Sequence, residues 1–276
     1  MKFVGLDLET TSTETGTAVV VQAAVVVVEG EVDDDSGQVR LDWSTERVQK
    51  IMCYAEHIPP GATEVHGITA ADVADCKPFE VYVSGLVKSL VQPDTVVVTF
   101  NGAGYDLVIV ARYLGFPLVL DHVDIYRAWM YDRSLNAPVP WDVRCSPTVQ
   151  RLPITANAFS GSLGGAHAFY TGDSFADAHD AAVDCRSTLR VFGKMPHSLD
   201  ELRKWARSPL PGCVDFSGKL TWDGDRACIA FGKHKGTPLE AVPRDYLSWM
   251  TSKGDFPRDT CNVVLDFLRG NYPRKQ

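Results

Sequence analysis

No apolar run in this 276-residue chain is long enough to cross a bilayer. The longest, Ala18 to Val28, is short and is broken by Gln22. No C-x-x-C pair occurs, and the seven cysteines are odd in number and scattered. That excludes a disulfide framework or a zinc ribbon and points to a reducing, cytoplasmic setting. A secretory leader is not expected, because Asp7 and Glu9 interrupt the first ten residues. Internal repeats and low-complexity tracts are also missing. Positive charge is scarce overall, with 27 Lys and Arg against 35 Asp and Glu, which taken alone argues against a nucleic-acid partner.

The charge is unevenly placed. Residues 1–185 carry a net charge of −14, and residues 186–276 a net charge of +6. An acidic body that holds cations, joined to a basic tail, suits a phosphodiester polymer: the cations neutralise the first and the tail attracts the chain.

The acidic part is organised around Phe3-Val4-Gly5-Leu6-Asp7-Leu8-Glu9-Thr10-Thr11, read as a short buried strand. Residues two apart on a strand share a face, so Asp7 and Glu9 stand side by side. Two carboxylates that close repel unless a cation lies between them, and a hard divalent ion such as Mg²⁺ or Mn²⁺ fits oxygen ligands. An isolated Asp-x-Glu more often faces water at a frayed strand end. Further elements have to supply partners before a site is implied.

Thr17 to Glu29 reads as a central strand buried on both faces, and Arg47 to Ala55 as another strand ended by Ile58-Pro59-Pro60-Gly61. Asp33-Asp34-Asp35 lacks the spacing of a Ca²⁺ loop and reads as a solvated hairpin tip. Phe79 to Val91 has helical periodicity, Thr95 to Phe100 is a strand, and Tyr105 to Leu114 is the helix behind it. Pro117 to His122 is read as a short strand and Asp124 to Arg133 as a helix. The proline-dense stretch Ser134 to Thr155 is read as a long loop, and Ala156 to Tyr170 and Ala176 to Val191 as helices. Strands followed by alternating helix and strand indicate an α/β layer fold. Residues 1–193 form the main domain, 194–220 a linker with one short helix (Leu199 to Arg207), and 221–276 a small α+β or α domain.

Two more stretches carry candidate chemistry. Phe100-Asn101-Gly102-Ala103-Gly104-Tyr105-Asp106 runs through small residues into a helix whose start holds Asp106, which on its own reads more readily as a helix-capping residue than as a ligand. In Ala178-His179-Asp180-Ala181-Ala182-Val183-Asp184, His179 and Asp184 would lie roughly 140° apart on one continuous helix. They converge only if His179 precedes the helix and Asp184 projects from its first turn. His is the natural general base near neutral pH. The bland alternative makes Asp180 and Asp184 charges that favour a helix N-terminus.

Taken together, Asp7-x-Glu9, Asn101-x-x-x-Tyr105-Asp106, and His179 with four residues before Asp184 resemble the motifs of DEDDh (DnaQ-like) 3′→5′ exonucleases. Ile58 to Thr69, with Pro59-Pro60 and His66-Gly67-Ile68, is similar to a segment that lies against the terminal nucleotide in that family. The resemblance implies a ribonuclease H-like mixed sheet flanked by helices. It makes Asp7, Glu9, Asp106 and Asp184 ligands of two Mg²⁺ or Mn²⁺ ions, which such nucleases hold about 3.5–4 Å apart. His179 becomes the base that activates water. Thr10, Thr11, His66, Asn101 and Tyr105 take positions near the 3′ nucleotide. The implied reaction releases nucleoside 5′-monophosphates from a DNA 3′ end, with RNA trimming or non-catalytic nucleic-acid binding as alternatives. Asp180 occupies the position where the sister class has Tyr, so this is the His type. Ser12 stands where a Gly often follows the threonines. Residues 222–272, with Phe231-Gly232-Lys233-His234-Lys235-Gly236, are similar to the C-terminal domain of exodeoxyribonuclease X-like proteins. Lys233, Lys235 and Arg244 are its candidate phosphate contacts, with Tyr246 and Trp249 as stacking surfaces or, on the bland alternative, as core. No membrane contact is expected, and a polymerase or repair partner is not specified.

Overall fold

The computed structural model describes residues 1–140, 143, 154–175, 178–252 and 256–275. The chain divides into two compact units, Met1–Ala206 and Arg207–Gln276. The first is built on a five-stranded mixed sheet. Its strands are β1 (Lys2–Thr10), β2 (Val20–Val32), β3 (Val39–Met52), β4 (Thr95–Thr99) and β5 (His122–Asp124), in the order β3-β2-β1-β4-β5. Strand β1 runs antiparallel to β2 and parallel to β4, and β4 runs parallel to β5. The helices are α1 (Pro60–His66), α2 (Ala70–Val73), α3 (Val83–Leu90), α4 (Asp106–Leu114), α5 (Ile125–Ser134), α6 (Leu163–Thr171), α7 (Ala181–Phe192) and α8 (Leu199–Arg207).

Alternation along β1 sorts its side chains between two layers. Val4, Leu6 and Leu8 join Leu86 and Leu90 of α3 and Ile109 and Val110 of α4 in one buried cluster. Phe3, Gly5, Asp7 and Glu9 take the other face, where Phe3 packs on Phe192 of α7 with ring centroids 5.4 Å apart. Gly5 permits close contact there: a Cβ at this position would lie 3.0 Å from the Cys185 carbonyl and 3.3 Å from Leu189. The β1–β4 ladder ends at Gly5–Val98, while β1 continues along β2 to Thr10. The last residues of β1 thus stand free of β4 at the carboxyl ends of two parallel strands, where open α/β sheets form their crevices.

The α/β architecture matches the expectation, and several boundaries differ from it. Pro60 does not end a strand; it opens α1 at the first helical position, where a missing N–H costs nothing. Strand β3 begins at Val39, because the alternation Val39, Leu41, Trp43 extends the pairing well before Arg47. Pairing to β4 begins only at His122, with Val119 94% exposed, so Pro117 to His122 is mostly a loop. Residues 156–158 form a single 3₁₀ turn, and the helix starts anew at Leu163, where the Ser162 hydroxyl accepts a hydrogen bond from Gly165 N (3.2 Å). Residues 141–142, 144–153 and 176–177, within the expected long loop and the start of the expected last helix, lie outside the described residues. Residues 194–206, read from sequence as part of a linker, include most of α8, which buries Leu199, Leu202 and Trp205.

The second unit is α+β. A hairpin of β6 (Leu220–Asp223) and β7 (Arg226–Ile229) joins α9 (Arg244–Ser252) and α10 (Arg258–Leu268) around Leu220, Ile229, Leu239, Leu247, Met250 and Val264. Among the described residues no helix is long and apolar enough to cross a membrane, and no two cysteines form a disulfide.

Candidate metal and catalytic site

Four acids from three parts of the first unit come within electrostatic reach of one another. Asp7 and Glu9 project from β1, Asp106 is the first residue of α4, and Asp184 sits in the first turn of α7. Glu9, Asp106 and Asp184 are almost wholly buried, at 8%, 5% and 8% exposure. Burial drives the Asp7 pKa well above the ordinary carboxylate range, and the charges of Asp106, Glu9, Asp184 and Asp180 push it further. Glu9 is raised to about 7, first by burial and then by Asp184 and Asp106. Asp106 rises to about 7 through burial, although its own N–H and that of Leu8 partly offset this. Asp184 rises to about 6, again chiefly by burial. Four carboxylates that each resist ionisation form a cluster short of positive charge.

The His179–Asp184 stretch adopts the one geometry that lets both side chains meet. His179 lies before α7 in the left-handed region, φ 69°, and its N–H donates to Asp184 Oδ2 at 3.1 Å. The helix starts two residues later, at Ala181. Asp180 caps it by accepting from Ala182 N (3.1 Å) and Val183 N (3.3 Å), and pairs with Lys50 of β3. Gln22 Oε1 of β2 accepts the Ala181 N–H at 2.7 Å. Asp180 thus caps the helix, while Asp184, in its first turn, lies against the other acids. Its Oδ1 is buried with no hydrogen-bond partner. Glu9, His179 and Asp184 each offer a ligand atom, all within 4.8 Å of one another. A buried acceptor without a donor, beside three acids and an imidazole, is a donor set that fits hard divalent cations.

The surrounding residues are placed as follows. The Thr10 hydroxyl donates to the Ser12 carbonyl at 2.9 Å, and the Tyr105 hydroxyl makes short contacts with both Thr10 Oγ1 and the Ser12 carbonyl. Tyr105 therefore braces the turn after β1 through its hydroxyl. Arg112, two turns along α4, holds the carbonyls of Thr15 and Ala18 in the same turn. Thr11 Oγ1 accepts from Val19 N at 3.0 Å. His66 ends α1, and its Nδ1 accepts from Ile68 N at 3.0 Å. Burial and the neighbouring His179 lower its pKa. Asn101 has φ 65° and an exposed side chain, so it contributes here through its main chain.

That main chain leads to a residue the sequence reading passed over. Asp124 is 6% exposed at the start of α5 and accepts from Asn101 N (2.7 Å), Ala103 N (3.0 Å) and Tyr126 N (3.2 Å). It pins the loop that delivers Asp106 while capping α5. Gly102 fits beneath because it lacks a Cβ, which would come within 2.6–2.8 Å of Thr99. An Asp before a helix signals a cap in sequence; nothing there signals the long-range contacts to 101 and 103.

The first unit's mixed sheet and flanking helices are the ribonuclease H-like fold of exonuclease I. Exonuclease I aligns over 94% of this chain and 63% of its own, at 17% identity and a TM-score of 0.58. E. coli exonuclease I in complex with a dT13 oligonucleotide aligns over 92% of this chain and 60% of its own, at 15% identity and a TM-score of 0.58. Cell-death related nuclease 4 (CRN-4) aligns over 70% of this chain and 63% of its own, at 15% identity and a TM-score of 0.50. This chain thus spans less than two thirds of the length of these proteins. A family described as "putative quorum-sensing-regulated virulence factor" matches residues 226–268, within the second unit. Among curated proteins none matches.

Proposed function

We propose that this chain is a metal-dependent 3′→5′ exonuclease that hydrolyses terminal phosphodiesters of single-stranded DNA and releases nucleoside 5′-monophosphates. The observation that carries this reading is the buried carboxylate cluster with its unpartnered Asp184 Oδ1 and the adjacent His179. Asp7, Glu9, Asp106 and Asp184 would hold two Mg²⁺ or Mn²⁺ ions. Bound there, the ions would offset the acids' mutual repulsion and supply Lewis-acid stabilisation to the phosphate oxygens. His179, the exposed member of the group, takes a proton from the attacking water. The turn braced by Tyr105 presents Thr10 and Thr11, and His66 stands beside it, so these residues position the 3′ nucleotide.

Complexes of exonuclease I with dT13 and dA16 oligonucleotides support a single-stranded DNA substrate by analogy of fold. A zinc-bound exonuclease I–ssDNA complex supports divalent-metal use in the same way. The second unit is read with this as an exodeoxyribonuclease X-like accessory domain, a reading the family match over residues 226–268 does not support. A cytoplasmic setting is proposed from the scattered cysteines.

End-labelled DNA and RNA oligomers digested side by side with Mn²⁺ test the activity and its sugar preference. Asp7→Ala is expected to reduce hydrolysis by on the order of 10³-fold while leaving the protein folded. Wild-type rates in purified Asp7→Ala, or full activity in EDTA, would refute the assignment.

A further inference from the structure

The second unit carries a feature that its core does not explain. Of the four residues Tyr246, Leu247, Trp249 and Met250, Leu247 and Met250 are fully buried core and Tyr246 packs against that core in part. Trp249 does neither: it is 44% exposed. Its ring lies against Tyr246 (centroids 5.4 Å, interplanar 37°) and edge-on to Phe256 (5.6 Å). Tyr246 is flanked in turn by His234, 4.5 Å away, and by Lys233, whose Nζ stands 5.5 Å from the ring centroid. Lys219 Nζ lies 5.9 Å from the Phe231 ring in the same aromatic group.

This assembly is held in place by main-chain bonds. Gly236 N donates to Ile229 O at 2.7 Å and Ile229 N to Thr237 O at 3.0 Å, which ties the loop carrying Lys233 and Lys235 to β7. The ion pairs among the unit's described residues are Arg226–Asp223 and Arg269–Asp266, so both loop lysines stand outside them and exposed. The neighbouring Asp245 is turned back on the Tyr246 N–H at 2.9 Å. Arg244, a third cation candidate from the sequence, donates to the Leu268 carbonyl at 3.1 Å and serves the end of α10. The unit holds 11 Lys and Arg against 8 Asp and Glu, opposite in sign to the acidic first unit.

We infer that Trp249, with the Lys233–Lys235 loop, is a contact for single-stranded nucleic acid, stacking one base while the lysines meet its phosphates. Exposed rings beside unpaired cations bind single strands without regard to sequence, because every base has a π-face. The inference rests on the nuclease reading for its choice of polymer. It adds that the second unit holds the body of a strand and raises its local concentration through the covalent link.

The test is fluorescence anisotropy of a 5′-labelled oligothymidylate with the full chain in EDTA, titrated over a range of salt. Trp249→Ala is expected to weaken binding roughly tenfold, and Trp249→Phe to retain most of the affinity. Lys233→Ala with Lys235→Ala is expected to make the log–log salt slope shallower by about 1.4, two phosphate contacts' worth on a single strand. Unchanged affinity and slope in both variants would overturn the inference and leave this face to a protein partner. A Trp249→Ala loss that follows a collapse in melting temperature, with the lysine variant unchanged, would overturn it as well. Hydrolysis by the wild type tests the nuclease reading separately. A chain that binds through this face and cuts nothing refutes that reading and not this one.

Discussion

Each unit buries an acid, Asp215 in the second and Asp184 in the first, and these two are held in opposite ways. In the second unit Asp215 is 2% exposed; its Oδ1 accepts from Leu220 N at 2.9 Å and its Oδ2 from Thr260 Oγ1 at 2.5 Å. Burial raises its pKa, and those two bonds partly offset the rise. In the first unit Asp184 has a similar depth, yet only its Oδ2 has a donor, the His179 N–H, while its Oδ1 has no partner and the Glu9 carboxylate lies close by. Burial alone therefore does not mark a site. A buried acid with both oxygens satisfied is architecture, and one with an oxygen left unsatisfied beside other acids is a candidate cation ligand.

The largest expected effect comes from exchanging the two acids for their amides. Asp184→Asn should lower hydrolysis by on the order of 10²–10³-fold, while its melting temperature in EDTA rises because one repelling charge is gone. Asp215→Asn should do the reverse. Hydrolysis stays near wild type, and stability falls by about 2 kcal/mol as two hydrogen bonds to a charged acceptor weaken. Denaturant melts alongside single-turnover rates read both, and matching behaviour in the two variants would break the contrast.

Titration sharpens it further. Glu9 and Asp106 titrate near 7 and Asp184 near 6 when folded, well above ordinary carboxylates. As pH rises from about 4, the unfolded chain loses these protons first. The folded state therefore holds more protons, and metal-free stability falls until the folded values are passed. The stability gap between Asp184→Asn and wild type in EDTA should widen from pH 4 to pH 7 by on the order of 2 kcal/mol. Added Mn²⁺ should stabilise the wild type more at pH 8 than at pH 6, where protons compete for the same oxygens. A gap that is flat with pH would mean the acids are not coupled as described.

The smallest effect belongs to the brace behind the site. Tyr105→Phe removes the hydroxyl shared by Thr10 and the Ser12 carbonyl. It should cost about 1 kcal/mol of stability and raise KM a few-fold with kcat nearly unchanged, since only the turn proposed to position the substrate loosens. A fall in kcat alone would place Tyr105 nearer the chemistry.

The sequence made the acids legible because strand periodicity and motif spacing are local. Asp7 and Glu9 share a face by geometry, and the requirement that His179 precede its helix followed from the turn angle. The positive φ that meets that requirement has no signature in a His. The supports were hidden for a related reason. Asp124, Gln22, Lys50 and Arg112 act across 21 to 159 positions, and each reads locally as a cap, a strand residue or a surface charge. Element boundaries slipped where one residue type has two uses. Pro60 can stop a strand or open a helix, and Ser162, read within one helix from Ala156 to Tyr170, instead caps a helix that starts at Leu163.

Gly5 carries a consequence for how finely the cluster is set. With only a hydrogen on that α-carbon, β1 and α7 meet backbone to backbone, so the span between Asp7 and Asp184 is fixed by covalent dimensions and ladder geometry. Two ions held about 3.5–4 Å apart, as proposed for this cluster, would tolerate little drift in their ligands. The tolerance of such an arrangement would then be decided at a residue outside the cluster itself.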